Sequence, residues 1–221
     1  MNNEILFFIN ILVAGGCTVL CCRFGAIGLA CWATAQGLLA NIFVLKQIVL
    51  FGLNVTASDI FIISSMFSVT LLQELFDETI AQKTILASSL ALLLFAMVSQ
   101  LHLAYVPSSS DFAQAAYETL FKPHLRIILA SIFAYWLSMQ ANLFLLRWIH
   151  KVLPKISLQL RTVLSLCIAQ LLDTILFALL GLYGLLDNLE QIILFSFTIK
   201  LITLLLLSYC VRLIPAMKSK S

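Results

Sequence analysis

Charge is scarce in this chain: Lys and Arg number 13 and Asp and Glu 10 among 221 residues, 10% in all. Soluble domains carry about 25% charged residues, so a water-facing surface of this size could not be covered, and a soluble fold is excluded. Proline is rare too, and all four, Pro107, Pro123, Pro154 and Pro215, lie in loops or at the ends of apolar runs. That placement predicts continuous spanning helices and argues against transporters that hold substrate on broken ones. Cysteine supplies no framework. Cys17, Cys21, Cys22, Cys31, Cys167 and Cys210 all sit in apolar stretches, without the spacing of a zinc site or a secreted disulfide network, and read as core filler. His102, His124 and His150 lack HExxH spacing, so no metal centre is expected. No P-loop is present, and nucleophile and base residues do not cluster. Neither ATP hydrolysis by the chain itself nor other catalysis is expected, and no cofactor. A net charge of +3 is too small to indicate nucleic acid as a partner.

What the chain has in abundance is hydrocarbon. Hydrophobic residues make up 62%, and the mean hydropathy is +1.07. A spanning helix needs about 20 apolar residues. That ruler gives spans at 4–22, 25–45, 58–76, 84–106, 125–146, 162–186 and 191–213. The fold class is therefore an all-α polytopic membrane protein, a bundle of seven transmembrane helices in one domain over 1–221, with the lipid bilayer as its first partner. The opening "MNNEILFFINILVAGGC" carries Glu4 in place of a positive n-region and reads as a retained helix, not a lipoprotein signal. Residues 46–57 are too few to cross; they either extend the second helix or form an interfacial turn. In the loop 107–124 a short amphipathic helix is expected at 112–121.

Orientation follows from the Lys/Arg bias of the loops. One side collects Arg23, Lys83, Arg147, Lys151, Lys155, Arg161, Arg212, Lys218 and Lys220. The other holds Lys46, Lys122 and Arg126 with Asp59, Asp111, Glu118, Asp187 and Glu190. The basic side should be cytoplasmic, leaving the N-terminus outside and the C-terminus inside.

Ionisable groups at membrane depth are functional hypotheses by default. Asp173 lies about 17 Å into its span at 1.5 Å per residue, near the midplane, and Lys200 sits at similar depth in the last span. Unpaired, each costs about 2.5–3.5 kcal/mol at a helix centre. Either the two neutralise each other as a structural pair, or one or both face a water-filled or ligand-filled cavity. Gln170, Asp173, Thr174 and Phe177 fall at i, i+3, i+4 and i+7 and share one helix face. Amide, carboxylate, hydroxyl and ring on one stripe suit a planar, hydrogen-bonding ligand; the competing reading is a polar interhelix seam. Glu74, toward the basic end of the third span, and the uncharged Gln36, Asn41, Gln140 and Asn142 admit both readings. A single deep aspartate disfavours an aspartyl dyad.

Several stretches together resemble a known family. "CRFGAIGLACWATAQGLLANIFVLKQIVLFGLNVT" and "FSVTLLQELFDETIAQKTI" are similar to the vitamin uptake transporters, whose members are bacterial queuosine precursor transporters. The family's landmarks fall on Arg23, Phe24, Gly25, Ala40, Asn41, Lys46, Leu50 to Gly52 and Thr56, then on Glu74, Phe76 and Ala81. "ILASIFAYWLSMQANLF" resembles its A-S-x-x-A-Y helix, "AQLLDTILFALLGLYG" its S-Q-x-x-D-T-x-x-F helix, and "FSFTIKLI" carries its late lysine at Lys200. Thr70 stands where the family has Asp, Asp77 where it has Gly, and Asn142 where it has a second Asp, which marks a divergent branch. The likeness runs over 23–214, a six-helix core, with 1–22 as an extra N-terminal helix.

That resemblance implies uptake of a 7-deazaguanine, a queuosine precursor or queuine, across a bacterial inner membrane for tRNA modification, facilitated or proton-coupled. A purine-like edge presents adjacent N–H donors that one carboxylate can accept together. Glu74 or Asp173 would be that carboxylate, with Asn41, Gln140, Asn142 and Gln170 as amides. Phe177, Tyr135 and Trp136 would stack, and Lys200 would bind ligand or hold Asp173. Two other readings stay open: a substrate-binding subunit that needs a separate ATPase module, and a non-transporting membrane scaffold. A homodimer is open as well.

Overall fold

The structure, a computed structural model, describes residues 2–44, 46–56, 58–121, 125–184 and 189–209. Expectations placed on Lys122, Pro123, His124, Asp187, Cys210, Arg212, Pro215, Lys218 and Lys220 lie outside those residues. Seven long helices appear among the described residues: α1 (Asn3–Arg23), α2 (Gly25–Phe43), α3 (Asp59–Leu75), α4 (Glu78–Leu103), α6 (Leu125–Val152), α7 (Leu158–Phe177) and α8 (Leu189–Ser208). A short α5 (Gln114–Phe121) lies in the α4–α6 connection, within the segment where the sequence suggests a helix. The protein is an all-α polytopic membrane protein. α1, α2, α4, α6 and α7 are long and apolar enough to cross a bilayer on length and composition alone. α3, at 17 residues, is shorter. Leu12, Ile27, Leu94 and Phe144 project apolar side chains outward from four of these helices, as a lipid-facing surface requires.

α3 is the axis of the bundle. Every residue from Ile63 to Leu72 is buried, the signature of a helix surrounded on all sides. Its small hydroxyl residues permit close approach, and several satisfy themselves on their own helix: Ser68 Oγ donates to the Ser64 carbonyl and Thr70 Oγ1 to that of Met66, each at 2.8 Å. Small residues at interfaces and back-bonded hydroxyls are the usual means of packing helices in lipid. α2, α4, α6, α7 and α8 surround α3, and α1 packs against α2, α3 and α8.

Three helix ends run well past the hydropathy ruler, each into polar residues. α4 starts at Glu78, six residues before the expected span, because Asp77 caps it by accepting from the Thr79 N–H at 2.6 Å. α6 runs on to Val152 through polar Arg147, His150 and Lys151. α7 begins at Leu158 with Ser157 accepting from the Leu160 N–H.

Two local departures matter more. The described residues 46–56 do not extend α2, and in place of a lone turn the structure has two paired strands. They form an antiparallel hairpin, β1 (Gln47–Leu50) with β2 (Leu53–Thr56), in register Gln47↔Thr56 to Leu50↔Leu53. Its two-residue turn, Phe51-Gly52, has both φ angles positive, 51° and 78°, as a type I′ turn requires. α7, expected as a continuous helix, passes into a π turn at Ala178–Leu182. Arg126 gathers carbonyls at that end, donating to Leu180 at 2.8 Å and Tyr183 at 2.9 Å.

The hairpin, the start of α3, the π turn and the start of α8 share one end of the bundle. Arg23, Lys83, Arg147, Lys151, Lys155 and Arg161 share the other, called here the basic end.

Candidate functional site

A cavity of about 630 Å3 enters the bundle between the hairpin and helices α2, α3, α6, α7 and α8. That volume falls in the range of small-molecule sites. Its floor is built from α7 and α8. Lys200 Nζ donates to Asp173 Oδ2 at 2.9 Å and to Thr174 Oγ1 at 3.1 Å. All three residues are buried and line the cavity. Asp173 and Thr174 are adjacent on α7, so both meet the ammonium that reaches across from α8. A lysine has three donors, and two are taken. Asp173 Oδ1 has no protein hydrogen bond among the described residues. The two readings left open by the sequence thus hold together: the ion pair exists, and it leaves one donor and one acceptor in residues that line the hollow. Phe177, one turn along, adds a ring to the wall, and the π turn adds Ala178 and Leu182. Single π turns inside helices recur at functional sites.

Nearer the hairpin the wall is α3 and α8. Asp59 is only 5% exposed. It accepts one long, bifurcated hydrogen bond from Ser196 Oγ, at 3.3 and 3.4 Å to its two oxygens, and no cation stands within salt-bridge distance among the described residues. Ser58 and Thr56 hydroxyls pair beside it at 2.9 Å. Sequence reasoning missed Asp59, grouping it with the acidic residues of the less basic side. Two signals were available: the Thr-x-Ser-Asp cluster before an apolar run, which reads as helix-start chemistry, and Ser196 one turn from Lys200 on the same face. A smaller chamber of about 410 Å3, between α1, the hairpin, α3 and α8, shares Asp59, Thr56 and Val55 with the main cavity.

Asp173, Phe177 and Lys200 thus converge, and the other anticipated residues do not line the cavity. Gln170 lies one turn deeper on α7, donating to Met66 Sδ at 2.8 Å, with Oε1 unpartnered among the described residues. Asn41 neighbours the lining residue Ala40, but its amide donates to the Gly37 carbonyl at 3.1 Å. Tyr135 is buried with its hydroxyl 3.2 Å from Ser65 Oγ, in the α3–α6 seam. Trp136, the next residue on α6, is 41% exposed and faces outward. Asn142 Nδ2 donates to Thr70 Oγ1 at 2.8 Å, and half-buried Gln140 lies on the same stretch of α6. Glu74 is the farthest removed. It stands fifteen residues along α3 from Asp59, about 22 Å at the helical rise, and accepts from Arg161 at 2.5 Å. Arg161 also bonds His150. The basic cluster draws Glu74 to its own end of the bundle, which is why it shares no chamber with Asp173. Among the described residues no group of three His, Cys, Asp or Glu side chains is placed to hold a metal ion.

The chain is similar to known proteins over most of its length. Residues 56–214 match the family described as "Putative vitamin uptake transporter". A Bacillus subtilis (strain 168) protein named "Probable queuosine precursor transporter" is 32% identical over 164 residues, covering 72% of each chain. No solved structure matches. The match takes in β2's last residue, α3 and every helix after it, including the Asp173 carboxylate, the Thr174 hydroxyl and the Lys200 ammonium of the cavity floor. Spanning helices, an interior cavity with a buried ion pair, and a family match across more than half the sequence agree: this integral membrane protein belongs to the vitamin uptake transporter family.

Proposed function

We propose that the protein imports a queuosine precursor or queuine, a 7-deazaguanine base used in tRNA modification, across the cytoplasmic (inner) membrane of a bacterium. The observation that carries this reading is the cavity floor: a free carboxylate oxygen on Asp173, a spare ammonium proton on Lys200 and the Phe177 ring facing one hollow. A deazaguanine offers matching parts. Its ring and exocyclic N–H groups can donate to Asp173 Oδ1, its carbonyl can accept from Lys200, and its face can stack on Phe177. The relative of similar sequence is named for a queuosine precursor. By the positive-inside rule the basic end faces the cytoplasm and the cavity opens outward, as uptake needs. Movement is facilitated or proton-coupled, and the 23–214 core carries it, with α1 as an added helix.

Direct binding to detergent-solubilised protein is the test. Queuine and its precursors should bind more tightly than guanine, and protein alone in proteoliposomes should admit them. Failure of every deazaguanine to bind sinks the reading; uptake that appears only with an added ATPase module makes the chain a binding subunit instead.

A further inference from the structure

The main cavity holds three ionisable groups, Asp59, Asp173 and Lys200. Two carboxylates against one ammonium leave a formal charge of −1. The pairing is unequal. Lys200 is in contact with Asp173 and Thr174, while Asp59 is held only by neutral hydroxyls, those of Ser196 and Thr56, among the described residues. Lys46 lines the smaller chamber but is exposed to solvent, where its field is screened. Lys200 acts on Asp59 only from beyond contact distance; a buried carboxylate with no cation in contact is costly, and Asp59 borders a hollow large enough to admit such a partner. It lies on the wall toward the hairpin, whereas the groups suited to a heterocycle lie on the floor.

We propose that Asp59 is a specificity-determining residue that selects a ligand carrying an alkylammonium arm, with the arm's N–H groups donating to the Asp59 carboxylate while the heterocycle occupies the Asp173–Lys200–Phe177 floor. The ammonium brings the cavity's formal charge to zero and gives Asp59 the short, charge-assisted bonds that Ser196 does not supply. Ser196 is then a positioning residue, holding the carboxylate on the cavity wall. This inference rests on the deazaguanine reading above and narrows it to the cationic members of that class.

A matched pair of probes tests it: 7-aminomethyl-7-deazaguanine, protonated at neutral pH, and 7-cyano-7-deazaguanine, the same base with a neutral substituent. Titration calorimetry on the full-length wild-type protein should show the amine binding at least about tenfold more tightly, in line with the coupling of close, desolvated charge pairs. Asp59→Asn should bring the two affinities together, Asp59→Glu should keep the preference, and Ser196→Ala should narrow it. Equal wild-type affinities, or a tighter nitrile, overturn the assignment of a cation site while leaving the deazaguanine reading intact. A preference that survives in Asp59→Asn overturns the role of Asp59. If neither base binds but queuine does, the assignment to Asp59 falls and the deazaguanine reading stands; if queuine fails as well, both proposals fall together. The wild-type comparison decides the matter even where Asp59→Asn does not fold.

Discussion

Asp173 and Lys200 show how a membrane interior constrains single side chains. Removing one partner strands the other charge on a side chain that is itself almost wholly buried, so Asp173→Asn should cost about 3–5 kcal/mol of stability and abolish uptake. The double variant Asp173→Leu with Lys200→Met removes both charges and should recover most of that stability while uptake stays absent. Thermal unfolding in detergent and transport in proteoliposomes measure the two separately; a double variant that transports normally would reduce the pair to structural glue. Asn142 is the opposite case. Its Nδ2 is used on Thr70, but its Oδ1 is buried without a partner among the described residues. Since an unsatisfied buried acceptor is a penalty, Asn142→Leu should change stability by no more than about 1 kcal/mol, read from the same melting experiment.

The hairpin and the helix caps are where local chemistry overrode the hydropathy pattern. Phe51 occupies a left-handed conformation at φ 51°, which costs a non-glycine residue about 1–2 kcal/mol. Edge contacts with Phe7 and Phe8, at centroid distances of 6.2 and 6.3 Å, offset it. Asn3 Nδ2 donating to the Val49 carbonyl at 2.8 Å and the Phe51 N–H donating to Glu4 at 3.2 Å complete the attachment of hairpin to α1. Gly52→Ala adds a second strained position at φ 78°, so amide exchange at Ile48 and Val55 should rise while the helices stay protected; unchanged exchange would mean the turn tolerates the methyl group. At the other end of the bundle, hydrogen bonds from Thr79 hold the Asp77 carboxyl below the usual carboxylate range. Its folded-state pKa is lowered, so its contribution is full above the unfolded value, about 3.9, and fades as pH falls through the lower folded one. Asp77→Asn keeps a cap acceptor and removes the titration, so melting below about pH 4 should become less acid-sensitive than in the wild type.

Across the whole bundle, alternation of helix direction places every described basic cluster residue of the sequence reading at one end, opposite the cavity mouth. In a cysteine-free background, Ser109→Cys should react with an impermeant maleimide added outside cells, and Lys151→Cys only after the membrane is opened. Reversed labelling would turn the cavity mouth toward the cytoplasm and make the protein an exporter or a release-state carrier.

Composition, run length and the Lys/Arg pattern were enough to specify a membrane-embedded α-bundle, because the bilayer demands about 20 apolar residues per crossing whatever their neighbours are. The Gln170-to-Phe177 stripe and the deep lysine were legible for the same reason: a polar group in hydrocarbon stands out against its own helix. Which of those groups meet could not be read along the chain. Asp173 and Lys200 find each other across α7 and α8, Gln170 turns to Met66 on α3, and Glu74 is claimed by Arg161 from 87 positions away. Asp59 looked like a helix-end acid until α8 and the hairpin closed over it. Hydropathy acts on one helix at a time, whereas a cavity belongs to the packing of several, and only the assembled bundle decides which side chains share it.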